Sequence, residues 1–157
     1  MRLSELIQAG SVVPELKATD RNGVIRELIQ SLAENGAIDP DNVEAVARAT
    51  ISRENQGSTG FGKGVAVPHV KHARIEKIMA AVGRSAQGVD FAALDRAPVY
   101  AIVLLLSPAD NPDGHLQAME NIFRHLQRDN FRRFLCHSET SEAIMDLIKE
   151  ADELPAG

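Results

Sequence analysis

Apolar residues recur along this chain in two rhythms. After Thr19-Asp20, the residues Val24, Ile25, Leu28, Ile29 and Leu32 fall three or four apart, so a helix would carry them all on one face. Thr19-Asp20 offers N-cap chemistry, and Asn35-Gly36 offers a stop. Asp39-Pro40 opens a second helix, with Val43, Val46, Ala47, Thr50 and Ile51 turned inward. A third helix is predicted from about His115 to Gln127, with Leu116, Met119, Ile122, Phe123 and Leu126 aligned. Shorter helices are predicted at Leu3 to Ile7, Asp129 to Cys136 and Ser141 to Ile148. Ser138 or Thr140 would cap the last, with Glu139 or Glu142 nearby.

The second rhythm belongs to strands. Val12, Val13 and Leu16 read as a short strand, and Pro14 points to a sheet edge. Val65 to Val67 and Ile78 to Gly83 are brief apolar runs. Tyr100 to Leu106 is apolar throughout, as a strand covered on both faces should be. Arg53 to Gly64 and Ser107 to Gly114 lose both rhythms and read as loops. Strands alternating with helices predict an α/β layered domain rather than a barrel or bundle. One domain over residues 1–157 is expected, with a core of about residues 3–148. The tail, 149–157, would be frayed from Leu154 to Gly157.

Composition narrows the function classes. The net charge is −5, and an acidic chain repels nucleic acid and anionic lipid in general. Aromatic residues make up 4%, too few for a base-stacking platform. Cys136 is the single cysteine, which permits neither an internal disulfide nor a cysteine-based zinc cluster. No run has the roughly 18 consecutive apolar residues of a membrane span. The first ten residues lack the basic start and apolar run of a secretory signal. A cytoplasmic protein that neither binds nucleic acid nor inserts in the membrane is the expectation.

Two loops carry the candidate chemistry. Between Gly57 and Gly64 there are four glycines in eight residues, a high entropic cost. The usual return is backbone whose N–H groups can approach an anion, here with the Ser58 and Thr59 hydroxyls beside them. Arg53 adds a planar cation suited to phosphate, and His69 follows a short strand and a proline. The plain alternative is a flexible connector with an incidental histidine. The loop is no Walker A motif, because Gly62 and Lys63 precede Gly64 where Ser or Thr is needed. The second loop ends in Asp113-Gly114-His115-Leu116. A histidine at a helix start sits near the positive end of the dipole, which favours the neutral ring. A surface or capping histidine is the alternative there.

The run Ser58-Thr59-Gly60-Phe61-Gly62, followed by Gly64-Val65-Ala66-Val67-Pro68-His69, resembles the signature around the phosphorylated histidine of phosphotransferase-system (PTS) EIIA domains of the fructose/mannitol/nitrogen-regulatory (EIIA type 2) class. The resemblance continues through Val89-Asp90-Phe91, Leu94-Asp95, Pro98-Val99, Leu104 to Pro108 and Asp113-Gly114-His115-Leu116, and covers roughly Leu3 to Ile148. It departs at Arg96, where a glycine is common, and at His72, an extra imidazole.

The resemblance implies a mixed β-sheet sandwiched between helices. It implies a phosphocarrier in a phosphoenolpyruvate-dependent system, with His69 as phosphoryl acceptor through Nε2. His115 would be the supporting histidine and Arg53 the active-site arginine. Ser58, Thr59, Gly60 and Gly62 would lie about the phosphoryl group. The implied donor is an HPr-type phosphocarrier protein, and the implied recipient an EIIB cysteine or a regulated target protein. A free-standing nitrogen-regulatory role is favoured over sugar transport, because no EIIB or membrane segment is found in the chain. No cofactor and no metal are expected. A binding module that keeps the fold without turnover, and a histidine-metal hydrolase, are the competing classes. His72 lacks further ligands at metal spacing. His125 is expected to be a partly exposed structural residue and Cys136 a small core residue.

Overall fold

The computed structural model describes residues 2–154, and of residues 8–10 the backbone alone. Six strands form one mixed sheet: β1 (Ile7–Val13), β2 (Gly60–Gly62), β3 (Val65–Ala66), β4 (His69–His72), β5 (Met79–Val89) and β6 (Val99–Pro108). Their order is β1-β5-β6-β3-β2, with β4 also paired to β6. β6 is the spine: antiparallel to β5 on one side, parallel to β3 and then β4 on the other. β1 lies at an edge, as Pro14 suggested. The helices are α1 (Leu3–Leu6), α2 (Arg21–Glu34), α3 (Val43–Gln56), α4 (Pro112–Leu126), α5 (Asp129–His137) and α6 (Ser141–Asp152).

The period-two alternation of β6 divides the core. Ile102, Leu104 and Leu106 pack with α2 and α3, while Ala101, Val103 and Leu105 pack with α1, α4, α5 and α6. The sheet is therefore sandwiched between two helical layers, as expected. All five apolar positions predicted for the inner face of α2 are fully buried. Asp20 caps that helix by accepting from Gly23 N, and Gly36 ends it at φ +79°.

Several boundaries differ from the sequence reading. α3 is preceded by a 3-10 turn at Pro40–Asn42 and runs on to Gln56, so Arg53 and Glu54 lie on its last turn and not in a loop. Arg, Glu and Gln are good helix formers but carry no hydrophobic rhythm, so the pattern fell silent before the helix did. Gly60–Gly62 is a strand within the predicted loop, and α4 starts at Pro112, capped by Asn111. α6 runs past Ile148 to Asp152, with Ala151 buried. Asp152 accepts from Leu3 N at 2.7 Å and Ser4 N at 3.1 Å, so the first helical turn is capped from the far end of the chain. Residues 155–157 of the expected tail lie outside the described residues.

The two kinds of contact differ in weight. Leu28→Ala should lower unfolding free energy by ~2–5 kcal/mol, because it opens a cavity at a fully buried site. Asp20→Ala should lower it by only ~1 kcal/mol, the loss of one cap. Urea unfolding of both variants checks the ratio.

Candidate phosphoryl-transfer site

The topology brings the two distant histidines together. His69 begins β4 and pairs with Leu105 of β6, while β6 runs on through Ser107 into the turn that starts α4. Pro68 carries no N–H, and its carbonyl accepts from Leu105 N at 2.9 Å. His115 stands in the first turn of α4, its own N–H bonded to Asn111 O. The imidazole centroids are 5.6 Å apart, with the planes tilted by 46°.

Each ring is held from behind. His69 Nδ1 lies 2.7 Å from the Val67 carbonyl oxygen, which can only accept, so Nδ1 carries the hydrogen and Nε2 the lone pair. His115 Nδ1 lies 2.7 Å from Ser107 Oγ. Ser107 is fully buried, and its hydroxyl can either donate to or accept from Nδ1; when it donates, the hydrogen of the neutral ring lies on Nε2. In that tautomer His115 offers a hydrogen-bond donor beside the lone pair of His69 Nε2. Ser107 opened the second loop in the sequence reading without any assigned role. Its position at the end of an apolar strand, eight residues before a histidine, was the available signal.

Burial lowers the His69 pKa, and the Arg53 and Lys71 charges add to that, against the Val67 bond and Glu54. Burial first, then His69 and Lys71, push His115 down to about 4. Both rings are neutral at pH 7. They border a groove of about 750 Å³ with Arg53, Lys71, Leu116, Met119 and Phe123. Leu116 is 59% exposed, so the groove opens to solvent. The Arg53 guanidinium donates to Gly57 O at 2.9 Å.

Ser58, Thr59, Gly60 and Gly62 do not line this groove. The Ser58 hydroxyl donates to Phe91 O at 2.5 Å, and the Thr59 hydroxyl to the buried Glu54 carboxylate at 2.6 Å. Glu54 also accepts from Thr59 N, which ties the loop to the helix end that carries Arg53. A Cβ on Gly60 would meet that of Ala93 at 2.9 Å, and Gly62 adopts φ +104°. The glycines therefore serve the packing and turning of β2.

His72 ends β4, and its Nδ1 accepts from Arg74 N. No group of three or more His, Cys, Asp or Glu suited to a metal occurs among the described residues. His125 is 4% exposed rather than partly exposed, and its ring lies 5.7 Å from that of Phe131. The buried stripe of α4 is wide enough to take in both His115 and His125. Cys136 is half-buried beside the second core, and burial raises its thiol pKa.

The depressed histidines make stability depend on pH. A histidine whose folded pKa lies below its unfolded value stabilises fully above the unfolded value, near 6.5, and that contribution fades as pH falls toward about 4 for His115. Urea unfolding should show stability falling across this window, with a shallower slope in His115→Gln. The ring resonances of His115 should titrate with a midpoint of about 4 in NMR.

Residues 5–151 match the family described as phosphoenolpyruvate-dependent sugar phosphotransferase system, EIIA 2. The fructose-specific EIIABC component of Bacillus subtilis is 30% identical over 98% of this chain, which spans only 24% of that longer protein. A nitrogen regulatory protein of Bradyrhizobium diazoefficiens is 31% identical over 94% of this chain and 95% of its own length. The crystal structure of nitrogen regulatory protein IIA-Ntr from Neisseria meningitidis superposes with a TM-score of 0.82 at 25% identity, covering 92% of this chain and 97% of that one. The fold is shared with mannitol IIA of Escherichia coli, solved in complex with phosphorylated IIB, at a TM-score of 0.74 and 19% identity over 92% of this chain and 99% of that one. With the family matched across nearly its whole length, the chain belongs to the EIIA type 2 family of the phosphoenolpyruvate-dependent phosphotransferase system.

Proposed function

We propose that this chain is a phosphocarrier in which His69 Nε2 takes a phosphoryl group from the phosphohistidine of an HPr-type carrier protein. The observation that carries the reading is the Nδ1 bond to Val67 O, which leaves Nε2 as the nitrogen with a lone pair beside a second neutral imidazole. In the transfer, the Nε2 lone pair attacks phosphorus in line and the donor's N–P bond breaks. Its electron pair returns to the donor ring, while the His69 Nδ1–H stays on Val67 O. His115 Nε2–H donates to a phosphoryl oxygen, and Arg53 supplies positive charge from the end of α3. Ser58, Thr59, Gly60 and Gly62 enter as supports of the loop that fixes this end of the groove, rather than as ligands of the phosphoryl group.

The recipient is an EIIB cysteine or a target protein whose binding follows the phosphorylation state. Likeness to nitrogen regulatory proteins over nearly full length favours the regulatory role. The reading takes residues 1–157 as one EIIA domain working in the cytoplasm beside its donor. Among the described residues no helix is long and apolar enough to cross a membrane.

Incubation with labelled phosphoenolpyruvate, Enzyme I and HPr tests the assignment. His69→Ala should take up no label, and normal labelling of that variant would overturn the proposal. His115→Ala should still accept label but pass it to EIIB about 100-fold more slowly, as expected for loss of a positioned donor.

A further inference from the structure

A second groove, of about 710 Å³, shares no lining residue with the one around His69 and His115. Four side-chain cations reach it: Lys63, Arg84, Arg132 and Arg133. Two carboxylates also reach it, and both are engaged. Asp129 is ion-paired with Arg132, and the Asp95 oxygens accept from the backbone N–H groups of Lys63 and Ala97.

Arg84 is 8% exposed, yet no ion pair reaches it among the described residues. Its Nε donates to Cys136 O at 2.8 Å and its Nη1 to Pro14 O at 3.3 Å, both neutral carbonyls. Among the described residues Nη2 has no acceptor, and it is not sealed from solvent. A buried guanidinium ordinarily has a counter-charge, because carbonyl dipoles do not neutralise it. The β5–β6 ladder loses its regular register between Arg84 and Val89, a disruption that commonly re-aims a side chain at a functional position.

Lys63 gives an independent sign. It adopts φ +60°, between Gly62 at +104° and Gly64 at +81°. Glycine would take this left-handed turn without strain, but the chain places a long cation there, and Asp95 holds the turn by its backbone N–H.

We propose that this groove binds a small polyanion bearing phosphate or carboxylate groups, with Arg84 as its buried anchor and Lys63 and Arg133 closing from the rim. The size suits a metabolite rather than a lone ion. Tyr100 and Pro98 provide wall for an uncharged body. Guanidinium and ammonium groups around one opening are the donors that such anions select. The ligand would also sit against the chain entering β3, since Gly64 lines the groove and its carbonyl accepts from Tyr100 N and Ala101 N.

Pyrophosphate and citrate, titrated separately into the ¹⁵N-labelled full chain, test the proposal and distinguish the phosphate from the carboxylate source. One or both should give saturable amide shifts at Lys63, Gly64, Arg84 and Cys136. Arg84→Gln should weaken binding at least about tenfold, the scale of a lost charged hydrogen bond. The exposed pair Lys63→Gln/Arg133→Gln should also weaken it about tenfold, which keeps the test decisive if Arg84→Gln does not fold. Absence of saturable shifts up to about 10 mM would overturn the proposal, since affinity weaker than that is not a site. So would shifts confined to His69, Lys71 and His115, or unchanged affinity in the exposed double variant.

Discussion

The hydrogen bond between His69 Nδ1 and the Val67 carbonyl governs what the rest of the site can do. A backbone carbonyl has no proton to give, so this contact fixes the tautomer without any titrating partner. A carboxylate in the same place would hold the ring equally well, but it would stabilise the imidazolium and leave more of the rings protonated at Nε2. The bond spans only two residues and passes around Pro68, whose fixed φ and missing N–H leave the neighbouring backbone few alternatives. Local sequence thus leaves the lone pair on Nε2, and the fold has only to place it.

Delivery depends on β6. It pairs with β4, which fixes the height of His69, and near its end it carries Ser107, which holds the ring of His115. The two imidazoles are thus referenced to one strand, and that strand is buried on both faces by alternating sets of apolar side chains. Positioning of this kind is stiff, because a slip of one residue would send every β6 side chain to the wrong layer.

The legible part of the molecule was the part with rhythm. α2 and the middle of α4 repeat apolar residues on one face, and β6 is an unbroken apolar run, so the layered α/β fold could be read directly. The pairing of His69 with His115 was legible only through the family resemblance, since the spacing of two histidines says nothing about a parallel strand pair. Val67 O and Ser107 Oγ could not be identified at all, because a backbone carbonyl has no sequence and serine is among the commonest residues. The hydroxyls and turns of the glycine-rich run suggested an anion cradle, and in the fold those groups are engaged with Phe91, Glu54 and Ala93, contacts that no sequence pattern announces. Arg96, noted as a departure from the resembling pattern, adopts φ +61°, a left-handed turn that glycine would take with less strain. Asp95 accepts from Ala97 N across that turn.

In the proposed transfer, a chain of net charge −5 has to receive a dianion, and the electrostatics of the first groove favour it. Arg53 and Lys71 both lower the His69 pKa, and Lys71 lowers that of His115. A cation that disfavours imidazolium favours a phosphoryl group at the same point, because both effects come from one positive potential. Nucleophile activation and product stabilisation therefore need no separate devices. Neutral imidazoles are also the less costly rings to bury, so desolvation and local charge act together at His115, while at His69 the Glu54 charge and the Val67 bond partly oppose them. The groove that matters is lined by Arg53 and Lys71 against the single carboxylate of Glu120, with Leu116, Met119 and Phe123 as its apolar wall, so its local potential need not follow the net charge of the chain.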